Sequence, residues 1–213
     1  MAPRSPHAAE LPRAADLPRT ELPRAADLPT MSMAARPASP DDDLVTIGVV
    51  IDIPPPFGPQ LQAWRREFGD PLAEEIPAHV TLLPPTEVSP DSSVEIRGHL
   101  EDVAKRTEPF QIRLQGTDSF RPISPVVFVA LAAGASGCDA LQQAIRQGPL
   151  ARELPFPFHP HVTVAQHLND DGLDHAQATL LHYQADFTIS SVGLYEHGRD
   201  GVWRLRRRFE FGR

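Results

Sequence analysis

The sequence predicts an α+β fold made of two lobes that share one β-α-β-α-β plan, related by a pseudo-twofold axis and separated by a central cleft. Three observations lead there. The tripeptide His-Val-Thr occurs at His79-Val80-Thr81, again at His161-Val162-Thr163, and nowhere else. A shuffled chain of this composition would hold about 0.03 copies. Each copy also lies at a matched distance from an earlier apolar run: Val45 to His79 is 34 residues, and Val126 to His161 is 35. Between these points, strand-like and helix-like periodicities alternate in the same order twice.

Element by element, Val45–Ile53 reads as the opening strand, stopped by Pro54-Pro55-Pro56 because proline lacks a backbone donor. Leu61, Trp64 and Phe68 recur at i, i+3 and i+7, one helical face. The first His-Val-Thr strand follows and is expected to end at Pro84-Pro85. A helix is expected from Ser92 to Arg106 with Ile96, Leu100 and Val103 inward, then an alternating strand from Phe110 to Leu114.

The second unit opens with the continuous apolar run Val126–Leu131, suited to a central strand. A helix around Asp139–Gln147 precedes the second His-Val-Thr strand. Asp170-Asp171 is expected to cap a helix that buries Leu173, Ala176 and Leu180. Phe187–Tyr195 and Val202–Phe211 read as two strands joined by a turn over His197–Gly201.

The length of 213 residues allows one domain over residues 43–213, with lobe one at about 44–117 and lobe two at about 118–213. Residues 1–42 read differently. Glu10–Pro18 repeats letter for letter at Glu21–Pro29, an 11-residue period, and eight prolines fall between Pro3 and Pro40. Leucine is the only large apolar residue of the repeat, so this segment is expected to be a disordered tail. Met31 and Met33 stand close to the folded region, which makes an over-long start-site assignment an open reading.

A hydrophobic content of 41% with a mean hydropathy of −0.27 predicts a soluble protein. No apolar run reaches the roughly 18 residues of a membrane span, and no secretory signal is visible, so cytoplasmic residence is expected. Cys138 is the single cysteine, which excludes an internal disulfide and a cysteine zinc site. The net charge of −8 argues against a protein that coats DNA or RNA, although Arg199, Arg204, Arg206, Arg207, Arg208 and Arg213 gather near the C-terminus. That cluster reads either as a phosphate footprint or as a solvated strand face.

Along a strand, His and Thr of each triplet project to one side and Val to the other. An imidazole titrates near neutrality and serves as acid or base. Two imidazoles on opposite sides of one phosphorus permit in-line displacement, one taking a proton from the incoming hydroxyl and the other protonating the leaving oxygen. Neutral threonine donors beside them suit non-bridging phosphoryl oxygens. This chemistry requires no metal and no cofactor.

These residues resemble a known family. Ile76-Pro77-Ala78-His79-Val80-Thr81-Leu82 and Phe158-His159-Pro160-His161-Val162-Thr163-Val164 are similar to the paired HxTx motifs of the two-histidine (2H) phosphoesterase superfamily, the LigT-like branch with bacterial RNA 2′-5′ ligases and 2′,3′-cyclic phosphodiesterases. The resemblance covers roughly residues 44–213, including Phe120-Arg121-Pro122 and the segment from Leu194 to Trp203. It implies a bilobal fold, metal-independent opening of 2′,3′-cyclic phosphate ends of RNA or nucleotides to 2′-phosphates, and in some members ATP-independent 2′-5′ ligation. It implies catalytic roles for His79 and His161 and phosphate-binding roles for Thr81 and Thr163. We read His79 as general acid and His161 as general base, with the roles exchanging in the reverse reaction.

Arg121, Tyr195 and Arg207 are further candidates for substrate contacts: a loop arginine, a strand aromatic able to stack on a base, and an arginine among the apolar residues of the last strand. For Arg207, a bulge is an equal reading. His159 and His161 sit at i and i+2, but no third metal ligand is evident. A single lysine, Lys105, and no basic-aromatic platform point to an RNA end or a small nucleotide rather than long RNA. The expected state is a monomer without a DNA or membrane partner. Alternatives are a 2H enzyme acting on another cyclic nucleotide or nucleotide-sugar phosphate, a non-catalytic RNA-end-binding module, and a partner-binding protein working through its tail.

Overall fold

The first strand, β1 (Val45–Asp52), ends where the three prolines begin. In the computed structural model, which describes residues 44–154 and 156–212, α1 (Phe57–Phe68) follows directly. It buries Leu61 and closes on Gly69, whose φ of 81° is a left-handed cap suited to glycine. β2 (His79–Val88), α2 (Ser93–Arg106) and β3 (Phe110–Ser119) complete the first unit. The second holds β4 (Val126–Ala133), α3 (Ala135–Ile145), β5 (His161–Gln166), α4 (Asp170–Thr179) and β6 (Gln184–Ile189). β7 (Ser191–His197) and β8 (Trp203–Glu210) finish the chain. The proline-rich segment expected over residues 1–42 lies outside the described residues. No helix among the described residues is long and apolar enough to cross a membrane.

Several elements depart from the expected bounds for physical reasons. β2 runs through Pro84-Pro85 because its register against β1 shifts there, from Val49↔Leu83 to Ile47↔Thr86. A bulge leaves the missing proline donors without a ladder position to fill. The run Phe187–Tyr195 is two strands, because β6 pairs with β3 while β7 pairs with β1 and β8. α4 is capped by Asn169, whose side chain accepts the Gly172 N–H at 2.9 Å. Asp170 and Asp171 instead occupy the first turn, where negative charge complements the helix dipole.

Among the described residues eight strands form one sheet in the order β6-β3-β4-β5-β2-β1-β7-β8. Its two halves, β2-β1-β7-β8 and β5-β4-β3-β6, mirror one another about the β2–β5 junction. They are not the two sequence units. β3 pairs with β4 and β6 of the second unit, and β7 of the second pairs with β1 of the first. One face of the sheet carries the main core, with Val49, Ile51, Val80, Val129, Val162 and Val164 fully buried among Leu61, Leu100 and Leu173 of the helices. Each such side chain contributes roughly 1.5–3 kcal/mol. The opposite face carries a smaller cluster of Val50, Ile76, Tyr195 and Trp203.

Candidate active site

The two His-Val-Thr strands meet at the centre of the sheet, where Val80 of β2 lies opposite Val162 of β5 in an antiparallel pair. Carrying that register one residue either way sets His79 against Thr163 and Thr81 against His161. Because side chains alternate, all four share the face opposite the buried valines. The two histidines are then diagonal neighbours, whose Cα atoms stand roughly 7–8 Å apart in such a ladder. The flanking strands repeat the symmetry: Asp52 and Val50 of β1 lie opposite His79 and Thr81, and Ala130 and Phe128 of β4 lie opposite His161 and Thr163.

Each imidazole is held in the same way. Nδ1 of His79 is 2.7 Å from the Pro77 carbonyl, and Nδ1 of His161 is 2.7 Å from the His159 carbonyl. A carbonyl only accepts, so Nδ1 carries the proton in both neutral rings and Nε2 is the basic nitrogen. Thr81 Oγ1 stands 3.1 Å from His79 Nε2, placed to donate to it. Burial lowers His79 from the ordinary 6.5 to about 4; the Pro77 carbonyl opposes this, and the Arg65 and His161 charges add to it. Burial likewise lowers His161 to about 4, against the His159 carbonyl and with the His159 charge. In both rings burial favours the neutral form near pH 7.

The surroundings of the two histidines differ. The His161 ring packs edge-on to Phe120 at 4.8 Å and lies 5.1 Å from Phe128. The exposed His159 ring joins the same group, 5.5 Å from Phe120 and 5.4 Å from Phe128. Below His79 lies an ion pair instead. Arg65 Nε donates to Asp70 Oδ2 at 2.9 Å, with the side chains 2% and 0% exposed. Arg65 Nη1 also donates to the Ile76 carbonyl at 2.8 Å, one residue before Pro77. The Asp70–Pro77 segment that delivers the His79 acceptor is thus tied to α1. Arg65 went unnoticed in the sequence, although its place four residues after Leu61 puts a charge on the apolar stripe.

On the same face Tyr195 donates its hydroxyl to Asp52 Oδ1 at 2.6 Å, and Arg208 Nη2 donates to Asp52 Oδ2 at 2.8 Å. Burial, followed by the Asp52 carboxylate, pushes the Tyr195 phenol upward. Tyr195 is buried at 5% and packs with Val50, Ile76 and Trp203, so its ring is part of a core rather than an open stacking surface. Asp52 was not picked out from the sequence, and Arg208 only as one member of the C-terminal arginine cluster. The reason lies in a register shift between Leu194 and Tyr195, where the pairing passes from Leu194↔Arg207 to Tyr195↔Leu205. This bulge places Arg208 with Gly193 and Tyr195, and sends Arg207 to the helix face.

Arg207 is therefore not a cleft residue. It donates to Glu101 of α2 at 2.9 Å, and its guanidinium lies 5.0 Å over the Phe209 ring. Arg121 is also engaged elsewhere: its Nη2 lies 2.8 Å from Asp174 and donates to Gln177 at 3.0 Å, both on α4. Four of the six C-terminal arginines are engaged in ion pairs rather than forming a free phosphate footprint: Arg204 with Asp200, Arg206 with Glu196, Arg207 with Glu101 and Arg208 with Asp52. Arg213 lies outside the described residues. Cys138 is buried at 0% exposure, with burial pushing its thiol up to about 12.

Comparison with known proteins gives concordant findings. The family model described as the 2′-5′ RNA ligase superfamily matches residues 53–201. A Bacillus licheniformis protein named "Putative phosphoesterase" is 30% identical over 152 residues, covering 70% of this chain and 89% of that protein. A Bacillus pumilus protein of the same description is 29% identical over 152 residues, covering 70% and 88%. Among solved structures, E. coli LigT complexed with ATP matches with a TM-score of 0.61 at 19% identity, over 81% of this chain and 100% of that one. LigT complexed with 3′-AMP matches with a TM-score of 0.58 at 20% identity, over 80% and 99%.

Proposed function

The chain belongs to the 2′-5′ RNA ligase superfamily, and from that premise we propose that it is a phosphodiesterase that opens 2′,3′-cyclic phosphate ends of RNA or nucleotides to 2′-phosphates. The observation that carries this reading is the Val80↔Val162 pair, which sets two His-x-Thr arrays in inverse order on one face of the sheet. A nucleotide substrate accords with the 3′-AMP and ATP carried by the E. coli protein of the same fold.

In the reaction, Nε2 of neutral His161 takes a proton from water as its oxygen bonds to phosphorus. The bond to O3′ breaks, and His79, charged, delivers a proton to that leaving oxygen. Thr81 and Thr163 hold the non-bridging oxygens through their hydroxyls. His79 reaches its charged form when the substrate enters, because an adjacent phosphate anion favours the imidazolium that burial disfavours. A 5′-hydroxyl in place of water gives a 2′-5′ linkage by the same proton transfers, without ATP.

The test is hydrolysis of nucleoside 2′,3′-cyclic phosphates in the presence of EDTA by the parent protein, His79→Ala and His161→Ala. Each substitution is expected to lower kcat by at least about 10²-fold, the scale of a lost general acid or base. Undiminished turnover in either variant overturns the reading, as does a product carrying a 3′-phosphate.

A further inference from the structure

His161 is covered by a turn to which the proton transfers above give no part. Residues 120–124 lie between β3 and β4, and Phe120 opens the turn with its ring on the cleft face. That ring stands 4.8 Å from the His161 ring at 88°, 4.4 Å from Phe128 and 5.5 Å from His159. The Phe120 carbonyl accepts the Ile123 and Ser124 N–H groups at 2.9 and 3.0 Å, so ring and turn form one unit.

Arg121, the next residue, reaches the other way. Its Nη2 donates to Gln177 Oε1 at 3.0 Å and lies 2.8 Å from Asp174 Oδ1, while Nη1 lies 3.7 Å from Asp170 Oδ1. All three partners belong to α4, which packs on the opposite face of the sheet. The Arg121 backbone N–H and Nε both donate to Ser119 Oγ at 3.2 Å, and that hydroxyl donates to the Val126 carbonyl at 2.8 Å. One side chain thus joins the turn, the ends of β3 and β4, and α4 around the rim of the sheet. A guanidinium bonded at both its Nε and its Nη2 has a single orientation, and the backbone that carries Phe120 is fixed with it.

We propose that Arg121 is a positioning residue for His161: by clamping the turn to α4 it holds the Phe120 ring against the imidazole, which fixes the plane of that imidazole and keeps water from it. That the held imidazole then acts as a base rests on the phosphodiesterase reading; the clamp itself does not. Few charged or titratable groups face His161. His159 lies on the same segment, with its ring 6.1 Å away, and His79 lies diagonally across on β2. β4 presents Ala130 and Phe128, and the Arg121 charge is turned away towards α4. Exclusion of water by the rings is therefore the main influence that the clamp controls, in keeping with burial as the first cause of the lowered His161 value.

The experiment follows the ring nitrogens of His161 and His79 by NMR in the full chain at pH 5, with His161→Gln assigning the signals. A value of about 4 leaves about one His161 ring in ten charged there. In Arg121→Ala and in Phe120→Ala this fraction is expected to rise at least about twofold as water reaches the ring, while that of His79 does not. Arg121 pairs with largely exposed carboxylates, a setting that contributes little to stability, so Arg121→Ala is expected to fold. Asp174→Ala combined with Gln177→Ala opens the clamp from the α4 side should it not. An unchanged His161 fraction when the clamp is opened from either side overturns the proposal. So does an equal rise in His79, which marks a general loosening of the cleft, or a rise in Arg121→Ala that Phe120→Ala fails to reproduce. With adenosine 2′,3′-cyclic phosphate, kcat of Arg121→Ala is expected to fall at least about threefold at unchanged KM, the consequence of a misplaced reacting group. An unchanged kcat overturns the positioning role. If the parent shows no turnover, that failure belongs to the phosphodiesterase reading, and the imidazole signals, which need no substrate, still decide the clamp.

Discussion

Val80 and Val162 face each other across the seam between the two halves of the sheet, each fully buried. Their pairing sets Thr81 across the seam from His161 and Thr163 across from His79, while the Thr81 hydroxyl stands 3.1 Å from Nε2 of His79 in its own motif. Replacing Thr81 or Thr163 by Val is expected to lower kcat by about 10²-fold, the scale of removing one donor to a charged transition state. Stability should change by less than about 0.5 kcal/mol, because both threonines are only half-buried. Steady-state kinetics alongside urea unfolding checks both halves of the expectation.

The lowered imidazoles make the fold sensitive to acid. Both His79 and His161 are lowered to about 4, whereas an unfolded chain takes up these protons near 6.5. Between those values the unfolded state binds more protons, so stability is complete above about pH 6.5 and is lost as pH falls towards about 4. Urea unfolding of the parent at pH 7.5 and pH 5 should show this loss. His79→Gln and His161→Gln should each reduce it, and an identical loss in both variants would refute the assignment.

Arg65 and Asp70 are paired where neither side chain reaches water. Arg65→Met leaves a buried carboxylate without its partner and is expected to cost about 3–5 kcal/mol. Arg65→Met combined with Asp70→Leu should recover much of that stability. The double variant should still turn over more slowly than the parent, because the Ile76 carbonyl loses the guanidinium that steadies the segment before His79. Chemical denaturation and single-turnover kinetics separate the two effects.

Arg207 provides a contrast with the cleft residues. Its pair with Glu101 is half-exposed, a setting in which ion pairs contribute about 0–1 kcal/mol. Arg207→Ala should therefore leave kcat/KM within about twofold of the parent and lower stability by no more than about 1 kcal/mol. A tenfold loss of kcat/KM would return Arg207 to the cleft.

The His-x-Thr pairs were legible in the sequence because strand alternation is local: a triplet at the start of a strand reveals which side chains share a face. Helices α1, α2 and α4 were legible through their apolar stripes, whereas α3, expected around Asp139–Gln147, begins at Ala135. Arg208 was not legible as a cleft residue, because one inserted residue in β8 reverses the inward and outward positions beyond it, and alternation counted from Trp203 then selects Arg207. Asp52 gave no signal either, since its partners Tyr195 and Arg208 lie 143 and 156 residues away in the chain. The split between β6 and β7 at Ser190 was hidden because no glycine or proline marks it. It arises from a change of pairing partner, which a single strand does not encode.

β3 is wedged between β4 and β6, and β7 has returned to lie along β1. Severing the backbone between β3 and β4 would consequently not yield two self-sufficient fragments. Each piece would hold a ribbon that belongs in its counterpart's architecture, and neither could finish its own wall unless the two reassembled by mutual exchange.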